Sequence, residues 1–135
     1  GFVFGCLSLS PSSSAPHWEV HKAHTERLIS AARPYSVTFH RAFDLIQNRL
    51  QALEILHQLG VDRVLTSGGP GSVDKNMDSL KQLLHLSHKL SSEPHKRRII
   101  VLPGGGVRAH NAQALLELGA QELHSSVPFN ITAVE

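Results

Sequence analysis

The chain is poor in cysteine, in aromatic residues and in long apolar runs, and each shortage excludes something. With one cysteine, Cys6, no internal disulfide can form, and a reducing, cytoplasmic setting fits best. Aromatic residues make up 5% of the sequence, with one Trp and one Tyr, so aliphatic side chains must supply most of the core. No apolar stretch reaches the roughly 20 residues of a membrane span. Gly1-Phe2-Val3-Phe4-Gly5 lacks the basic start of a secretion signal and reads as a strand already under way. Neither sign of charge dominates: Lys and Arg number 13 against 11 Asp and Glu, for a net charge of +2. The one dense basic run, His95-Lys96-Arg97-Arg98, precedes an apolar stretch and reads as a solvated loop. Neither nucleic acid nor membrane is therefore expected as a partner.

What is present suffices for one globular domain over residues 1–135, with 41% hydrophobic and 18% charged residues. The most informative stretch is Arg98-Ile99-Ile100-Val101-Leu102-Pro103-Gly104-Gly105-Gly106-Val107. A continuous apolar run broken by proline and glycines is how a buried parallel strand enters a tight loop before a helix. The same grammar recurs along the chain. Strands are expected at Phe2 to Leu7, Ser36 to His40, Arg63 to Thr66, Ile99 to Leu102 and Glu122 to His124. Helices are expected from about His17 to Ala32, Leu45 to Leu59, Met77 to Leu90 and Ala109 to Leu118, with Gly60 and Gly119 as terminators. Ser8 to Pro16 and Ser91 to Arg98 read as polar loops.

An internal echo supports this order. Residues 55–67 and 114–126 both read as helix, glycine stop, short turn, strand and hydroxyl residues. About five βα units in series imply a parallel sheet, either doubly wound or part of a (β/α)8 barrel. A whole barrel takes about 250 residues, and a chain that opens inside a strand argues for part of one.

Alternation along Val37-Thr38-Phe39-His40 puts Val37 and Phe39 toward the helices and Thr38 and His40 toward a barrel interior. The same logic places Thr66, Glu122 and His124 inside. His40, Arg41, Glu122 and His124 are thus candidate acid–base residues at strand ends, where barrel enzymes act. Ser67, Gly68, Gly104, Gly105, Gly106, Ser125 and Ser126 are candidate anion-binding positions, because glycine loops let backbone N–H groups approach an anion. His17, His21 and His24 fall at i, i+4, i+7 and could chelate Cu(II) or Zn(II). No acidic residue orients them, and they read as surface histidines.

Val37-Thr38-Phe39-His40-Arg41-Ala42-Phe43-Asp44 resembles the CutC family, named for copper homeostasis. The resemblance continues through Arg63-Val64-Leu65-Thr66-Ser67-Gly68, Val101-Leu102-Pro103-Gly104-Gly105-Gly106-Val107, Phe4-Gly5 and Glu122-Leu123-His124-Ser125-Ser126. It implies a partial TIM barrel, roughly strands four to eight, and a cytoplasmic protein that binds copper, with Cys6 the thiolate on offer. Two features depart from the family. The loop after the first strand is Ser/Pro-rich where relatives carry acidic residues, and the tail after Ser126 lacks their further basic residues. The alternative to copper handling is a barrel enzyme acting by acid–base chemistry on a small phosphorylated or carboxylated metabolite. Self-association is compatible with either.

Overall fold

Four of the five expected parallel strands form, and strand order follows chain order. A computed structural model of the chain describes residues 1–11, 14–92, 94 and 96–126. The elements are β1 (Phe2–Phe4), β2 (Leu7–Leu9), β3 (Trp18–Val20), α1 (Lys22–Ala32), β4 (Val37–Phe39), α2 (Arg49–Leu59), β5 (Arg63–Thr66), α3 (Met77–Ser91), β6 (Ile100–Pro103) and α4 (Ala109–Glu117), with short 3₁₀ turns at Arg41–Leu45 and Val73–Lys75. A four-stranded sheet runs β1-β4-β5-β6, and its neighbouring strands are all parallel.

The fold is α/β, an open piece of a (β/α)8 barrel. Its two sheet faces are unequal. Val37, Phe39, Val64 and Val101 are at most 1% exposed and point toward the helices. Thr38, Arg63, Leu65, Ile100 and Leu102 on the other face are only half-buried. A doubly wound sheet covers both faces with helices, whereas a barrel strand turns one face to the helices and one to the interior. The core lies between sheet and helices, around Ile29, Phe39, Phe43, Leu53, Leu56, Leu83 and Leu84. A smaller cluster of Val73, Leu80, Val107 and Leu115 sits near the C-terminal ends of the strands.

Both halves of the internal echo end their helices with the same bond. Val61 N–H donates to Leu56 O at 3.0 Å and Ala120 N–H to Leu115 O at 3.1 Å, around Gly60 at φ 93° and Gly119 at φ 102°. This is the six-to-one closure that a glycine of positive φ permits.

The structure corrects several expectations. The first strand ends at Phe4, and Leu7–Leu9 forms a separate antiparallel hairpin with Trp18–Val20. The expected Ser8 to Pro16 loop therefore begins as a strand. The expected helix from His17 starts only at Lys22, because Val20 is drawn into the core while its neighbours pair with β2. The expected helix from Leu45 starts at Arg49, capped by Asn48 Oδ1, which accepts the Gln51 N–H at 3.2 Å. Leu50, which the apolar spacing of that helix groups with Leu53 and Leu56, is 39% exposed. Thr66 faces the helices, since it follows Val64 by two residues and pairs with buried Pro103. In place of a fifth strand at Glu122 to His124 there is a single parallel bridge between Gly104 and His124. Ser12, Ser13, Glu93, His95 and the tail from Val127 lie outside the described residues.

Candidate functional site

The C-terminal ends of β4 and β5 are tied together by one buried carboxylate. Asp44, 5% exposed, lies in the 3₁₀ turn after β4. It accepts Arg41 Nε–H at 2.9 Å, Ser67 N–H at 3.1 Å and the Thr66 hydroxyl. Ser67 Oγ lies 2.9 Å from Asp44 Oδ2 and 2.7 Å from Gly69 O, so its proton has two alternative acceptors. Buried polar groups persist when hydrogen-bonded in this way. Asp44 is not among the candidate residues that the sequence pattern singles out. The signal for it was an acid three residues after Arg41, in a chain whose next strand ends in two hydroxyls.

Arg41 extends the network. Its Nη2 donates to Ser67 Oγ at 2.9 Å and to Gly71 O at 3.0 Å. The guanidinium then lies against the loop after β6: a Cβ added at Gly105 would be 2.7 Å from Arg41 Cζ. Only glycine leaves room for that approach, and Gly105 also sits at φ 96°.

The other candidate residues divide into groups. The first glycine loop is turned inward: Gly68 N–H donates to Thr66 Oγ1 at 2.8 Å and Gly68 O accepts from Ser79 Oγ at 2.6 Å. Ser125 Oγ donates to Val107 O at 2.8 Å, which fastens the last segment to the Gly104-Gly105-Gly106 loop, and Ser126 is exposed. His124 is exposed and lies beside Gly104, its Cβ 3.2 Å from where a Cβ there would stand. His40 packs instead on Gly5, 2.7 Å from that residue's would-be Cβ. Its Nδ1 accepts Ala42 N–H at 3.1 Å, so the neutral ring carries its proton on Nε2. Strand order puts β5 and β6 between His40 and His124, about 14 Å along the sheet, so the two rings do not share one site.

Glu122 is engaged elsewhere. Arg63 grips it with two bonds, Nε–H to Oε2 at 2.7 Å and Nη2–H to Oε1 at 2.9 Å. That fork holds the Glu122 carboxyl below its ordinary pKa and raises the Arg63 guanidinium. Near the second loop, Asp74 is also held low, first by the Asn111 amide and then by His110.

Cys6 lies on the hairpin. The β2–β3 register pairs Leu7 with Val20, and His21 N–H donates to Cys6 O at 2.9 Å. Cys6 therefore stands directly across from His21, with the two side chains on the same face. The His21 ring stacks on His24 with centroids 3.9 Å apart, and its Nδ1 accepts His24 N–H at 3.2 Å. His17 precedes β3 and does not share a helix face with them.

A protein-family model described as the CutC family matches residues 4–128. The chain belongs to the CutC family. Among its relatives are the copper homeostasis protein cutC homologs of Mus musculus and Homo sapiens. Each is 39% identical over 127 residues, which is 93% of this chain and 41% of the relative. A CutC family protein of Parabacteroides distasonis is also 39% identical, with 46% of its length covered. The crystal structure of a CutC protein from Streptococcus agalactiae superposes with a TM-score of 0.66 at 26% identity, covering 78% of this chain and 49% of that one. This CutC chain thus spans less than half the length of these relatives.

The family name raises copper, and the described residues do not fit a closed copper site. Cu(I) favours thiolate and thioether donors. Cys6 sits on the hairpin, while Met77 packs against the apolar cluster of Val73, Leu80, Val107 and Leu115. Among the described residues, no three His, Cys, Asp or Glu side chains converge as a metal-binding group.

Proposed function

We propose that this chain acts in copper homeostasis in the cytoplasm, as part of a CutC-type protein that takes copper as cargo rather than as a built-in cofactor. The observation that carries this reading is the family match over residues 4–128, with relatives whose names state that role for them. A single cysteine and the lack, among the described residues, of any helix long and apolar enough to cross a membrane agree with it. The copper-facing residues are Cys6 and His21 across the hairpin, a half-buried set of only two donors and therefore weak and exchangeable. Titration with Cu(I) under reducing conditions against a competing chelator tests this. Weak binding of about one ion per chain, lost in Cys6→Ser, is expected. Tight binding by a monomer that is lost in Cys6→Ser would overturn the weak-cargo reading, and binding unaffected by that change would remove Cys6 from it.

A second reading is favoured by the strand-end geometry. His40, whose Nε2–H has no partner among the described residues, stands beside the Arg41 network and suits acid–base chemistry on a small phosphorylated or carboxylated molecule. Thermal-shift screening with such metabolites separates it from the copper reading. Stabilisation that disappears in His40→Gln supports an enzyme, and an unchanged melting temperature across the screen rejects one.

A further inference from the structure

We propose that the Gly105–Gly106 loop and Arg41 form a binding site for a tetrahedral oxyanion, the phosphate of a small phosphomonoester or inorganic phosphate itself. The site is independent of any copper ligand. Its basis is the contrast between the two glycine loops. The loop after β5 uses its Gly68 N–H internally. In the loop after β6 the acceptors are occupied instead: Gly105 O takes Val73 N–H at 3.0 Å and Gly106 O takes the Asn111 amide at 2.9 Å. Gly104 N–H is spent on Thr66 O at 2.9 Å. The N–H groups of Gly105 and Gly106 have no partner among the described residues, nor does Arg41 Nη1.

These donors lie together. A Cβ at Gly105 would be 2.7 Å from Arg41 Cζ and 2.8 Å from Nη1, so the guanidinium, its unused Nη1 included, lies against the loop whose N–H groups are unused. Asp44, Ser67 and Gly71 hold the guanidinium by its other two nitrogens, so little side-chain entropy remains to be lost on binding. Helix α4 begins three residues after Gly106 with no acidic residue in its first turn, and its N-terminal end favours an anion. The nearby Asp74 is paired to Asn111 at 3.0 Å and His110 at 3.3 Å. Arg108 Nη1 is turned back onto Val107 O at 2.7 Å and adds positive charge at the rim. One fixed guanidinium with backbone N–H groups at a helix start is a general way of holding phosphate.

Amide NMR of the protein, titrated with inorganic phosphate, methyl phosphate and acetate at constant ionic strength, tests the site. Saturable shifts centred on Gly105, Gly106 and Val107 are expected for both phosphates, with acetate several-fold weaker. Tighter binding of methyl phosphate than of inorganic phosphate would identify a phosphomonoester as the ligand, and the reverse order free phosphate. Arg41→Gln should weaken binding at least about tenfold, the scale of a lost hydrogen bond to a charged group. Arg98→Gln, at the opposite end of β6, should leave it unchanged. If Arg41→Gln does not fold, Arg41→Lys and the map on the unaltered protein still decide. Shifts centred on Gly69 and Arg49, shifts spread over all basic residues, or equal affinity in the Arg41 variants would overturn the proposal.

Discussion

Removing the Asp44 carboxylate would leave the buried Thr66 hydroxyl and Ser67 N–H without their acceptor, and the half-exposed Arg41 Nε–H without its partner. Buried donors left without an acceptor cost about 1–3 kcal/mol each, so Asp44→Ala should lower the urea midpoint clearly. Asp44→Asn keeps the shape and should cost less. Equal stability of Asp44→Ala and the unaltered protein would mean that the network is ornamental. The Arg63–Glu122 pair works on a smaller scale, because both side chains are about a third exposed, at 31% and 36%. Glu122→Gln should cost about 1 kcal/mol at pH 7. The sign follows from the carboxyl being held low by Arg63. Its contribution is present above the unfolded carboxyl pKa and is lost as pH falls through the lower folded value. Denaturation curves of Glu122→Gln and the unaltered protein should therefore converge in strong acid, and a gap that persists there would contradict the assignment. Little of this was legible in the residues. Thr66 and Glu122 were assigned to one interior by alternation alone, but Thr66 turns to the helices and Glu122 is taken by an arginine 59 positions away in sequence.

Helix α2 displays the reverse case, where spacing predicts burial at Leu53 and Leu56 though not at Leu50. Leu53 and Leu56 are fully buried, while Leu50, a near neighbour in sequence, is 39% exposed. Leu53→Ala should cost about 2–5 kcal/mol, and Leu50→Ala no more than about 1. Similar losses at both positions in thermal melts would mean that α2 packs by another face. Elements such as α2, α3 and β5 were readable because their apolar periods and glycine stops are local signals. The β2–β3 hairpin was not, because its strands are three residues each and their pairing is decided by contacts outside the segment. Trp18 bridges to Ile46 and Val20 enters the core, so tertiary packing overrode the helical spacing of His17, His21 and His24. The Arg41–Gly105 approach was equally hidden, since no local pattern brings a residue after β4 onto a loop after β6.

At the scale of the whole molecule, the open sheet has an edge at β1. Among the described residues that strand pairs only with β4. Val3 is 64% exposed and Phe2 50%, with Leu28 at 39% and Tyr35 at 61% beside them. Phe2 and Tyr35 meet edge to face with centroids 5.9 Å apart, which covers only part of the patch. An unpaired strand edge templates association, and natural edges are guarded by lysine or proline; β1 has neither within Phe2–Phe4. On the interior face, Leu65, Ile100 and Leu102 are only half-buried, and each withholds part of the roughly 1.5–3 kcal/mol that full burial of such a side chain contributes. Against a domain stability of about 5–15 kcal/mol, that shortfall is large. The S. agalactiae structure is about twice as long as the part this chain covers. The 135-residue chain expressed alone should therefore associate through β1, eluting above monomer size. Val3→Lys, which places a charge on that edge, should shift it toward monomer. A monodisperse monomer that melts cooperatively without that substitution would mean that the β1 edge is already satisfied, and that this piece of barrel is a self-sufficient fold.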